Sequence, residues 1–128
     1  MMPEEKNLLL HLLVHRGKWS RNVEARNANG EPVTYDDETA VAWDITGALC
    51  HLFGWKRACV LFRQLERHLV GDRKSVKWPT PDPSIDAMRV LQDFNDKADT
   101  TFDLLRRRLE NMPVWNGGSR ADEVELGK

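Results

Sequence analysis

The run from residue 39 to residue 55, TAVAWDITGALCHLFGW, constrains this chain more than any other part of it. It is the most apolar stretch of the sequence, yet it holds an acid (Asp44), a glycine (Gly47), a thiol (Cys50) and an imidazole (His51). An apolar segment of this length has to lie in the core. Whatever polar groups it carries must then be hydrogen-bonded or paired. On helical spacing Val41, Ile45, Ala48, Leu49 and Leu52 form one apolar face, while Ala40, Trp43, Asp44, Gly47 and His51 form a second. The second face is narrow at Ala40 and Gly47, so another backbone can approach it closely. The reading is a central helix capped by Asp36 or Asp37 and broken at Gly54.

The other segments arrange themselves around that helix. Pro3, Glu4 and Glu5 open a first helix, which is expected to run through the leucine cluster and stop at Gly17. Its apolar residues cover nearly the whole circumference, which predicts either a central position or a partner on one side. Leu8, Leu9, Leu12 and Leu13 are the candidate surface for self-association. Residues 17–37 form a long polar connection. There Asn29-Gly30 is a turn signal that permits a short irregular hairpin, with Trp19, Val33 and Tyr35 as anchors.

Trp55, Ala58, Cys59, Phe62, Leu65 and Leu69 mark a third helix ended by Gly71. Pro79, Pro81 and Pro83 mark an extended connection pinned by Trp78. Ser84 is a candidate N-cap for a helix that buries Ile85, Met88, Leu91 and Phe94. Thr100 with Asp103 resembles a capping box for a last helix, stopped by Pro113. The expected architecture is all-α, with about five helices in one domain over residues 1–115. A flexible polar tail is expected over residues 116–128.

At 128 residues the chain can bury a single core without staples. A formal net charge of -1 gives no global field to attract nucleic acid or an anionic membrane, so neither is expected as a partner. The apolar run at residues 8–14 is too short to span a bilayer, and acids precede it, unlike in a signal peptide. The two cysteines, Cys50 and Cys59, read as reduced core residues, and the expected location is the cytoplasm.

Three motifs bear on chemistry. His11 and His15 stand at i and i+4, the spacing of half a metal site, but no glutamate follows His11 as in metalloproteases. Cys50 as a nucleophile needs a histidine within reach, and His51 points about 100° away on a helix. Phosphate loops, dinucleotide fingerprints and paired Cys-x-x-Cys sites do not occur in the sequence. The strongest constellation is Asp44 with Asn95 and Asp96. Structurally, Asp44 would hold the loop after the first helix through backbone N–H groups, or pair with Arg21 or Arg26. Functionally, the acids would converge with Trp19 and Trp43 to line a ligand site.

Trp43-Asp44-Ile45-Thr46-Gly47-Ala48-Leu49 and Phe94-Asn95-Asp96 also carry a resemblance. Together with Trp19, Asn29-Gly30 and Thr101, they resemble the motifs of a family of small bacterial and phage proteins classed as a domain of unknown function. Its members read W-[CD]-x-x-G-A-L, followed by aromatic-N-D. The resemblance spans residues 19–109 and implies a shared fold but no reaction, cofactor or partner. Some relatives carry Cys where this chain has Asp44, and a carboxylate cannot replace a nucleophilic thiol in acyl transfer. The functional expectation is a non-enzymatic domain acting through protein–protein contact or self-association and using no cofactor. The alternative is a ligand-binding or metal-binding protein, or a hydrolase, centred on Asp44.

Overall fold

Asp44 divides the apolar stretch in two. Before it, Ala40–Trp43 is a β-strand, and after it, Ile45–Leu65 is an α-helix for which Asp44 is the N-cap. In the computed structural model of the protein, which describes residues 1–71 and 80–114, the elements run in chain order as follows. They are α1 (Pro3–Leu12), β1 (Ala25–Asn27), β2 (Pro32–Val33), β3 (Ala40–Trp43), α2 (Ile45–Leu65), α3 (Pro83–Asp96) and α4 (Phe102–Glu110). A 3-10 turn at Arg16–Lys18 follows α1, and a π-helical turn at Glu66–Val70 extends α2 as far as Gly71. Trp78, Trp115 and residues 116–128 lie outside the described residues.

The all-α expectation is therefore corrected. Among the described residues the fold is mixed α/β, with four helices and one three-stranded antiparallel sheet in the order β2-β1-β3. The hairpin β1–β2 is the one that Asn29-Gly30 signals. Gly30 takes φ 80, and the Asn27 side chain accepts from the Asn29 and Glu31 amides at 3.0 Å each. The third strand replaces the first turn of the expected central helix. Ala-Val-Ala-Trp has no propensity strong enough to impose a helix against pairing. Ala25 of β1 stands opposite Trp43 on one side and Val33 on the other, in a ladder that a helix would forgo. A bulge displaces Val41 between the Arg26–Ala42 and Asn27–Ala40 pairs.

Gly54 breaks the backbone inside α2 as expected, with φ 78 and ψ 165. Three other boundaries are corrected. The cap of α3 is Asp82, whose carboxylate accepts from the Ser84 amide at 2.8 Å with Pro83 in the first helical position. The cap of α4 is Thr101, which accepts from the Leu104 amide at 3.1 Å, rather than Thr100. Helix α1 ends at Leu12 and not at Gly17. There the Arg106 guanidinium reaches across from α4 and donates to the carbonyls of Leu10 and Leu13, satisfying the orphan acceptors of the helix end. His15 is consequently in extended backbone, with φ -148, and no longer shares a helix with His11.

The core lies where α2 packs against α3, with α1 and α4 closing it. Leu9 and Leu13 of the first-helix cluster are buried in it beside Leu49, Leu61, Phe62, Leu91 and Leu105, while Leu8 is half exposed. The chain thus covers most of the leucine face of α1 itself. Leu13→Ala is expected to cost about 2–5 kcal/mol in urea unfolding, the usual range for a buried leucine. Leu8→Ala should stay within about 0.5 kcal/mol, as an exposed site does. A large loss at Leu8 would mean that another surface covers it.

Candidate functional site

The loop after α1, the start of α2 and the end of α3 meet at the Asn95 side chain, which is fully buried. Its Oδ1 accepts from the Trp19 indole at 2.7 Å and from the Ile45 amide at 3.1 Å. Its Nδ2 donates to the Ser20 carbonyl at 3.0 Å and to Asp96 Oδ1 at 2.9 Å. Two donors face one end of the amide and two acceptors face the other, so the four partners fix its orientation. Asp96 Oδ1 also accepts from the Asn22 amide at 2.8 Å, holding that residue at φ 69, where a non-glycine residue needs support.

Asp44 sits beside this clamp, 3% exposed. Its Oδ1 accepts from the Gly47 amide at 2.6 Å and the Thr46 hydroxyl at 3.0 Å, so the carboxylate holds the first turn of its own helix. The expected contacts from Asp44 to the loop or to an arginine are not formed. The loop is held by Asn95 and Asp96. It is also held by the Asp44 backbone amide, which donates to the Glu24 carbonyl at 3.1 Å. That same carbonyl explains Gly47. A Cβ at this position would lie 2.2 Å from the Glu24 oxygen, so no side chain fits.

Burial pushes the Asp44 carboxyl from the ordinary aspartate range up to about 6. The bonds from Gly47 and Thr46 oppose that shift, and the neighbouring Asp96 and Glu24 charges add to it. The ionised carboxylate is the costly form here, and desolvation outweighs the cap.

An open cleft of about 620 Å³ lies over this junction, between the β1–β2 hairpin and α3. Asp44, Asp96, Glu24 and Asp93 line it together with apolar Val23 and Val33, and among the described residues no lysine, arginine or histidine does. Glu24 Oε2 accepts from the Tyr35 amide at 2.8 Å, and Asp93 is exposed on α3. Another pocket of about 540 Å³ is lined by Arg16, Trp19, Arg21, Ala98, Thr101 and Phe102.

The five residues read as a ligand site therefore separate. Asp44 and Asp96 share the acidic cleft, while Trp19 lines the second pocket. Asn95 is an internal clamp. Trp43 is buried, donates from its indole to the Tyr35 carbonyl at 3.1 Å and stacks on His51 with ring centroids 4.5 Å apart. Glu24 and Asp93 escaped the sequence reading. Asp93 and Asp96 stand at i and i+3 on one helix, a spacing that could have shown them to share a face. Glu24 has no local signal, because its place depends on the sheet.

Cys50 is buried and its thiol is pushed up to about 12 by burial, while the adjacent His51 is engaged with Trp43. A thiol in that state is a poor nucleophile. Among the described residues no group of three or more His, Cys, Asp or Glu side chains is arranged to hold a metal ion, and His11 and His15 are both exposed. No helix among the described residues is long and apolar enough to cross a membrane. Comparison with family models, with curated proteins and with solved structures returns no match for this chain.

Two substitutions separate the roles at the start of α2. Gly47→Ala is expected to cost about 3 kcal/mol or more, because backbone rather than a flexible side chain occupies the Cβ position. Asp44→Asn keeps an acceptor for Gly47 and Thr46 and removes the charge. The raised carboxyl of Asp44 contributes stability that is present below the ordinary aspartate pKa and lost as pH rises through about 6. The variant should therefore be more stable than the parent at pH 8, by up to about 3 kcal/mol for a shift near two units, and the gap should close toward pH 4. Urea unfolding across pH measures the difference. A variant destabilised at every pH would show that Asp44 stabilises the fold as a carboxylate.

Proposed function

We propose that the protein is a non-enzymatic binding domain whose acidic cleft takes a lysine or arginine side chain presented by a protein partner. The single observation that carries this reading is the lining of the cleft. Four carboxylates line it together with valines and uncharged polar side chains, with no cation among the described residues that line it. Such an arrangement attracts a basic group and repels an anionic one. Asp44 supplies the least solvated of the four charges, and a bound cation favours its ionised form. Binding should therefore tighten as pH rises through about 6.

A cytoplasmic location belongs to the same proposal, supported by two cysteines that are both free thiols. Kinship with the small bacterial and phage family rests on the tryptophan, glycine and asparagine motifs, three of which have jobs at the clamp: Trp19, Gly47 and Asn95.

Self-association through α1 is the second reading. It is favoured by the exposure of Leu8 and Val14, at 50% and 49%. It is the narrower of the two, because Leu9 and Leu13 are already enclosed by the chain's own core. A hydrolase centred on Asp44 has less support, since its Oδ1 is committed to the helix cap.

A titration with a tetra-lysine amide peptide followed by amide NMR tests the proposal. The expected result is saturable shifts at Val23, Glu24, Val33 and Asp93, stronger at pH 7.5 than at pH 5. Asp93→Lys, an exposed change, should weaken the binding about tenfold. Shifts scattered over the surface, or binding unchanged in Asp93→Lys, would overturn it.

A further inference from the structure

We infer that the pocket between the first loop and the start of α4 binds a small aromatic anion, a flat ring carrying a phosphate, of about the size of a nucleoside monophosphate. This site is separate from the acidic cleft, and the inference does not rest on the function proposed for that cleft.

The first support is charge. Arg16 and Arg21 both line the pocket, and neither has a carboxylate within ion-pairing distance among the described residues. Arg21 is held in place from several sides. Its guanidinium donates to the Thr100 carbonyl and lies 4.8 Å from the centre of the Trp19 ring, while its own carbonyl accepts from Arg26 at 3.1 Å. Its Nε is buried and finds no acceptor among the described residues. A fixed guanidinium beside a second, exposed one is a setting for a doubly charged phosphate oxygen set.

The second support is shape. Trp19 and Phe102 form the apolar wall, with ring centroids 6.1 Å apart and planes tilted by 45°. The Trp19 ring cannot swing away, because its indole N–H is bonded to buried Asn95. A pocket of about 540 Å³ with aromatic walls and a few convergent polar groups falls in the range of small-ligand sites.

The third support is the start of α4. Thr101 caps the Leu104 amide and leaves the Phe102 and Asp103 amides without acceptors inside the helix. Phe102 lines the pocket, so its amide adds a donor there. Asp103 is exposed on the same turn and does not line the pocket.

The test is an amide NMR titration of the intact protein with adenosine monophosphate, and in parallel with adenosine and with inorganic phosphate. The expected result is that the monophosphate shifts the Trp19 indole, Thr101 and Phe102 resonances and saturates in the millimolar range or below. Adenosine and phosphate alone should each bind about tenfold more weakly or worse, because each makes only half of the contacts. Arg16→Gln alters an exposed side chain with no hydrogen bond to the fold, so it should keep the melting temperature and weaken the monophosphate about tenfold. Phe102→Leu should weaken both the monophosphate and adenosine. Absence of shifts at the pocket, or undiminished binding by Arg16→Gln, would overturn the inference.

Discussion

One buried amide holds this structure together. Asn95 ties the indole of Trp19, the carbonyl of Ser20, the first amide of α2 and the carboxylate of Asp96. Each bond is worth about 1 kcal/mol net. Losing the amide would strand four buried or partly buried partners, and the cost of that desolvation is about 1–3 kcal/mol for each of them. The loop between α1 and β1 has no regular ladder of its own until Ala25, so its position depends on this clamp and on the parallel bridge of Trp19 to Trp43. Both the acidic cleft and the arginine pocket have one wall made of that loop.

The start of α2 shows two demands in conflict. The helix needs an acceptor for its first amides, and Asp44 provides one at short range. The packing of Glu24 against Gly47 removes that acceptor from water, and burial then disfavours its charge. Asparagine would satisfy the cap without the cost. An aspartate at this position is therefore hard to explain by folding alone, and a cation in the adjacent cleft would supply the missing compensation.

Much of the scaffold was legible in the sequence because it depended on short-range signals. The Asn29-Gly30 turn, the break at Gly54, the stop at Gly71 and most of the apolar stripe (Ala58, Phe62, Leu65 and Leu69, but not exposed Trp55 or half-buried Cys59) all act within a few residues. The narrow face at Gly47 was also legible, since only a small residue admits another backbone. What escaped were outcomes of long-range pairing. Ala40–Trp43 fits either period over four residues, and its pairing with Ala25–Asn27 decided the matter. Reading that segment as helix moved the cap to Asp36 or Asp37 and hid the role of Asp44. Helix α1 likewise ended early because of an arginine 93 residues away in sequence from the Leu13 carbonyl it bonds. The fold brings Asp44 and Asp96 to one cleft. Trp19 and Trp43 do not line that cleft, because each indole is directed by a partner that only the fold supplies: Asn95 for one, the Tyr35 carbonyl for the other.

Asn95 positions the loop that walls both pockets, and Asn95→Asp is the substitution that probes this role. The substitution is nearly isosteric but turns the two donors to Ser20 and Asp96 into an acceptor facing acceptors. Unfolding free energy should fall by about 3 kcal/mol or more at pH 7, together with fast hydrogen exchange at the Trp19 indole and the Asn22 amide. Unchanged stability with both protons still protected would contradict it.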